Sequence, residues 1–167
     1  MSAAILLSEL KAEVERLANK IGAPSNILPT YGRSEDGGRP HIEVDARGYH
    51  YVMVERGEEW TRLTTSDIDE LLQKIFCSVT FGLASKYELK HRVPNMDSRR
   101  LLFQRQVDLL EELSPHWAKY EAERQKSILQ QRPYDDHVDA RLLLSAQVGW
   151  KKACEAYPLP IPDIGWN

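Results

Sequence analysis

The hydrophobic period of this chain changes once, near Thr65, and that change limits what it can fold into. Upstream of it, three short segments alternate with a period of two. His41 to Asp45 puts Ile42 and Val44 on one face and His41, Glu43 and Asp45 on the other. Tyr49 to Glu55 is rich in aromatic and β-branched residues, and Glu59 to Thr64 forms a third segment. The connections Asp45-Ala46-Arg47-Gly48 and Arg56-Gly57-Glu58 are short turns, which imply an antiparallel meander. Downstream of Thr65 the apolar spacing becomes three and four, as in helices.

The spacing predicts a first helix from a Ser8 cap, with Leu10, Val14, Leu17 and Ile21 on one face and Gly22 and Pro24 as its stop. A polar, glycine-rich connection runs from Tyr31 to Pro40. After the meander, Thr65 or Ser66 can cap a long helix with a wide apolar face from Ile68 to Tyr87, ending before Pro94. Asp97 caps a third helix. Ser114-Pro115 restarts a fourth, anchored by Trp117, Tyr120, Ile128 and Leu129. Asp135 or Asp136 caps a last helix through Val138, Leu142, Leu143, Ala146, Trp150 and Ala153. The expected fold is α+β: an N-terminal helix, a three-stranded antiparallel meander, then a bundle of about four helices. Residues 1–157 are expected to form a single α+β domain, and the Pro-rich residues 158–167 an extended tail.

Composition narrows the function classes. The 167 residues include 22 Lys and Arg against 25 Asp and Glu, a formal charge of −3. A nonspecific nucleic-acid binder draws most of its affinity from a basic excess, and this chain has none. Two cysteines, Cys77 and Cys154, do not make a disulfide framework, and Cys77 sits among core-type residues. The start, MSAAILLSELK, has no basic region ahead of a long apolar run, so no signal peptide is expected. No stretch approaches the roughly 20 apolar residues that span a bilayer. A cytoplasmic protein without membrane contact is the expectation.

No catalytic motif stands out. The five histidines lack metal-ligand spacing, and no Cys-x-x-Cys, phosphate loop or nucleophile elbow occurs. His41 and Glu43 share one strand face, with His50 on the neighbouring strand, and the three define the alternative of a small metal-dependent hydrolase. A general adaptor that binds peptides at a sheet edge is a second alternative. Arg99-Arg100 opposes the helix dipole, which points either to a tertiary ion pair or to an anionic partner.

Charge is uneven along the chain. Residues 34–60 carry a net −4, more than the whole. Those acids lie on the sheet and its turns, beside aromatic residues of the kind that anchor interfaces. The expected partner-binding residues are Glu43, Asp45, Tyr49, Tyr51, Glu55, Glu58, Glu59 and Trp60. Burial in the protein's own core is the rival role for the aromatic ones.

Seven strings then occur in a telling order: LPTYG at 28–32, PHIEVD at 40–45, GYHYVMVERG at 48–57, VTFGLASKYELKHRV at 79–93, DSRRLLFQRQ at 97–106, LSPHWA at 113–118 and RPYDD at 132–136. From about Ser8 to Asp136 the chain resembles the immunity protein 63 family of bacterial polymorphic toxin systems. The resemblance implies an α+β inhibitor, not an enzyme, with no cofactor. It implies that the partner is a cognate toxin domain encoded nearby, held in a stoichiometric complex that blocks the active site or substrate surface.

Overall fold

The computed structural model describes residues 6–163. The reading of the first five residues as leaderless, and the last four residues of the tail, lie outside that range. Helix α1 (Leu7–Lys20) buries Leu10, Val14, Leu17 and Ala18 along one stripe. It starts two residues earlier than a Ser8 cap predicts. Leu6 stands at the N-cap, and the Glu9 carboxylate accepts its N–H at 3.1 Å. The helix stops in a paired motif: Ala23 N–H donates to Ala18 O at 2.9 Å and Gly22 N–H to Asn19 O at 3.2 Å.

The sheet has four strands in the order β1 (Thr30–Tyr31), β2 (His41–Asp45), β3 (Gly48–Glu55) and β4 (Glu58–Thr65). The expected meander is β2-β3-β4, antiparallel throughout. The extra strand, β1, pairs parallel with β2, with Thr30 opposite His41. Two residues are too few to show a period, which is why the sequence hides it. Its place is fixed from the connection: Arg39 donates to the carbonyls of Leu28 at 2.8 Å and Ser25 at 3.1 Å. The same connection reaches the far hairpin, where Gly57 N–H donates to Asp36 Oδ1 at 2.7 Å.

Gly48 is where backbone approaches backbone. Its φ is +124°, and a Cβ there would overlap the carbonyl oxygen of Thr65 across the β3–β4 ladder. The second hairpin turns on Arg56 (φ +54°) and Gly57 (φ +76°), the paired positive φ values of a type I′ turn. Strand β3 is buried on both faces: Tyr49, His50, Tyr51 and Val52 are each 5% exposed or less. Tyr49 and Tyr51 join the core with Ile42, under α1 and helix α2 (Ile68–His91).

Helix α2 contributes Leu71, Leu72, Ile75, Phe76 and Val79 to that core. Its cap is Asp67, two residues past Thr65; the Asp67 carboxylate accepts from Asp69 N–H at 2.8 Å, and Thr65 Oγ1 accepts from Asp67 N–H at 3.0 Å. Helices α3 (Ser98–Leu113) and α4 (Pro115–Gln131) pack beside it, with the Trp117 ring stacked 6.0 Å from Phe76. Between the three helices lies a buried polar cluster. Glu121 takes two bonds from Arg124, at 2.6 and 2.9 Å. Gln125 Nε2 donates to Gln106 Oε1 at 3.2 Å, and Gln106 Nε2 to Cys77 O at 3.1 Å. Tyr120, expected as an anchor of α4, is 53% exposed.

The predicted last helix is two helices. Gly149 (φ +86°) separates α5 (Val138–Val148) from α6 (Trp150–Ala156). Their buried residues are Arg141 and Ala153, whereas Leu142, Leu143 and Trp150 face outward. An ion cluster ties this pair to the bundle. Asp97 caps α3, pairs with Arg99 at 2.6 Å and accepts from Asp135 N–H at 2.8 Å. Arg99 also donates to the carbonyls of Arg132 and Pro133, both at 2.8 Å. Asp136 pairs with Arg100 at 2.9 Å and accepts from Asp97 N–H at 2.8 Å. Asp135 pairs with Arg141 at 2.7 Å, and Arg141 donates onward to the carbonyls of Tyr157 at 2.7 Å and Pro158 at 3.1 Å. Asp135 still accepts from His137 N–H at 3.1 Å, but His137 itself holds the N-cap position of α5. Arg100 is thus engaged in a tertiary ion pair, and Arg99 in a local pair with Asp97 and tertiary bonds to two carbonyls.

These contacts yield three expectations. Gly48→Ala should destabilise the chain by about 2 kcal/mol in denaturant unfolding, through strain at a positive φ closed off by Thr65. Arg141→Ala should raise amide exchange across 138–157 about tenfold or more while leaving the sheet amides unchanged, because it removes the tie to Asp135 and the tail carbonyls. Acid should do the same. Arg100 and the Asp97 N–H hold the Asp136 carboxyl at about 2, below its ordinary 3.8, and Arg141 holds Asp135 low. Carboxyls lowered by folding contribute stability that is present above about pH 4 and lost as pH falls through about 2. Exchange in α5 and α6 should therefore rise over that window.

Candidate interaction surface

The face of the sheet turned away from the helices is built by alternation. It carries His41, Glu43 and Asp45 from β2, His50 and Val52 from β3, and Arg62 and Thr64 from β4. No described helix covers it, and its own polar side chains lie over β3. Arg62 bridges Glu59 at 2.8 Å and Glu43 at 3.1 Å. His41 Nε2 donates to Glu43 Oε1 at 2.9 Å. His50 Nδ1 shares a hydrogen bond with Thr64 Oγ1 at 2.9 Å, and its Nε2 lies 2.8 Å from Asp45 Oδ1. Arg47 closes on Asp45 at 2.8 Å.

These partners set the ionisation of the acids. The hydrogen bond from His41, then Arg62, holds Glu43 below the usual carboxylate range. Arg47, then His50, holds Asp45 well below it. Arg62 does the same for Glu59. Four of the seven acids of residues 34–60 therefore stand in ion pairs, with Arg62 serving both Glu43 and Glu59. Glu35 pairs with Arg39 at 3.2 Å, and Asp36 is spent on Gly57 N–H.

The eight residues expected at an interface separate accordingly. Tyr49 and Tyr51 lie in the core, on the helix side of β3. Glu43, Asp45 and Glu59 stand on the outer face, each in an ion pair. Glu55 and Glu58 face one another at the end of the β3–β4 hairpin, both exposed. Neither forms an ion pair with another described residue. Trp60 follows them, 69% exposed, at the irregularity where Met53 pairs with Thr61 and Val54 with Glu59. The hairpin end thus joins two free carboxylates to an indole.

His41, Glu43 and His50 do share the outer face, as the hydrolase alternative requires. Glu43 opposes His50 in register, but its carboxylate oxygens are engaged by His41 and Arg62. Among the described residues, no group of three or more His, Cys, Asp or Glu is placed to hold a metal ion. No described helix is long and apolar enough to cross a membrane.

On the opposite side of β4 the structure opens a groove of about 700 Å³ between the sheet, α2 and α4. Met53, Leu63, Cys77, Phe81 and Tyr120 line it, together with Lys74. Burial pushes the Cys77 thiol up to about 11, so it is a poor nucleophile. The sequence reading did not single out this groove. Its one signal was Phe81, which lies off the apolar stripe of α2 and is 47% exposed.

No curated protein and no solved structure matches the chain. A family model does: immunity protein 63 matches residues 45–127. That range runs from the last residue of β2 through both hairpin strands, α2 and α3, and into α4. It contains the hairpin end and the groove and leaves out β1, α5, α6 and the tail. Four of the seven strings fall wholly inside it, from GYHYVMVERG to LSPHWA. Across this sheet-and-bundle stretch, residues 45–127, the chain is similar to the immunity protein 63 family.

Proposed function

We propose that this chain is a cytoplasmic immunity protein that neutralises one cognate toxin domain by direct, stoichiometric binding, with no chemistry of its own. The family match carries the reading. The binding surface is the outer sheet face and its turns, centred on the end of the β3–β4 hairpin. Glu55, Glu58 and Trp60 make the first contact there, and Glu43, Asp45 and Glu59 form the flank. Tyr49 and Tyr51 act behind this surface by fixing β3.

Uncompensated carboxylates beside an exposed indole suit a basic surface on the toxin. The indole supplies apolar anchoring, and the charges supply approach speed and choice of partner. Inhibition is steric, by covering the active site or the substrate surface. An exposed hairpin end has the shape to enter a concave site.

The test uses the toxin domain encoded beside this chain. Co-expression should rescue cells from that domain. Trp60→Ala should weaken the purified complex by about tenfold or more, as for an aromatic anchor. Glu55→Lys with Glu58→Lys should slow association most strongly at low salt. Failure of the wild-type chain to bind or protect would reject the function; unchanged affinity in both variants would reject the surface.

A further inference from the structure

Resting on the reading of the partner as a toxin domain, we infer that β4 takes up an extended segment of that domain as a fifth strand. The segment places an apolar side chain in the groove beneath β4 and an acidic side chain beside Lys74.

The free edge is the first observation. β4 pairs with β3 on one side, and no described strand pairs with the other. Outside that ladder, no backbone hydrogen bond among the described residues involves Glu58–Thr65. An edge strand directs every second N–H and C=O outward, ready for another strand. Proteins usually guard such an edge with charge, proline or a bulge. Here the guards cluster at Glu58, Glu59 and the irregularity at Trp60. From Thr61 to Thr65 there is no proline and one charge, Arg62, which folds over the outer face to Glu59 and Glu43.

The groove is the second observation. It runs under Thr61 and Leu63 of β4 and is walled on its far side by Tyr120 of α4. A strand added about 4.8 Å beyond β4 would turn alternate side chains into that space. Phe81 and Tyr120 are both about half exposed, and such a side chain would cover them.

Charge decides the chemistry of the occupant. Glu121 is satisfied by Arg124, and Glu70 accepts the Thr65 hydroxyl. Lys74 has no carboxylate partner among the described residues; its ammonium lies over the Tyr51 ring, 5.5 Å from the centroid. The Glu70 carboxylate held by Thr65 keeps its charge on the same wall. The groove therefore offers a Lys74 ammonium outside any ion pair among the described residues, beside the apolar Met53, Leu63 and Phe81. A strand with an Asp or Glu two residues from a Leu, Ile, Val or Phe meets both on one face. This polarity is opposite to that of the hairpin end, so the two contacts read different parts of the toxin.

Amide exchange on the complex with the neighbouring toxin domain tests this. Alternate amides within 58–65, exposed in the free chain, should exchange at least about tenfold more slowly in the complex. Lys74→Glu and Phe81→Ala alter exposed side chains outside the core; each should weaken binding about tenfold with an unchanged thermal midpoint. A complex whose β4 amides exchange as in the free chain overturns the inference and leaves the inhibitory function standing. Wild-type affinity in both variants does the same. If the wild-type chain does not bind the domain at all, the proposed function fails, and this inference with it.

Discussion

Strand β3 is buried on both faces although helices cover only one, and much of the molecule answers that imbalance. On the helix side, Tyr49 and Tyr51 meet Ile42 and the apolar stripe of α2. On the other side, His50 and Val52 are fully buried without any helix above them. Their cover is a layer of long polar side chains from the neighbouring strands, with Arg62 at its centre. The layer is held by its own ion pairs: Arg62 bridges Glu43 and Glu59, and Arg47 closes on Asp45. Of the carboxylates on β2 to β4, Glu55 and Glu58 at the hairpin end stand outside these pairs.

The parts of the fold that repeat over several residues were legible in the sequence. Alternation gave β2 to β4, and three-four spacing gave α1 to α4, with Asp97 and Pro115 marking two helix starts. What escaped was decided by tertiary contacts. β1 is two residues held in place by Arg39 through carbonyls far along the chain. The split at Gly149 and the outward Leu142 and Leu143 follow from Arg141, a charged residue that takes the buried position apolar spacing would assign to a leucine. A sequence pattern counts apolar residues and does not see that a guanidinium with four of its five donors engaged can be buried.

The candidate surface was half legible for a related reason. Alternation on β2 grouped Glu43 and Asp45 with His41 on one face, and the structure turns that face away from the helices. Alternation on β3 set Tyr49 and Tyr51 apart from His50 and Val52 but could not say which face the helices would take. Charge counting found the acidic stretch without showing which of its carboxylates Arg39, Arg47 and Arg62 engage. The groove beside β4 needs α4 to stand across from Thr61 and Leu63, a relation between residues over fifty positions apart.

The opposed carboxylates of Glu55 and Glu58 have a consequence for the hairpin itself. Like charges facing across an antiparallel pair repel, so the free hairpin holds its tip against a local electrostatic load. A cation arriving between them removes that load and adds its own attraction. Docking and tightening of the turn are then thermodynamically linked: whatever grips the tip also makes the ladder behind it harder to open.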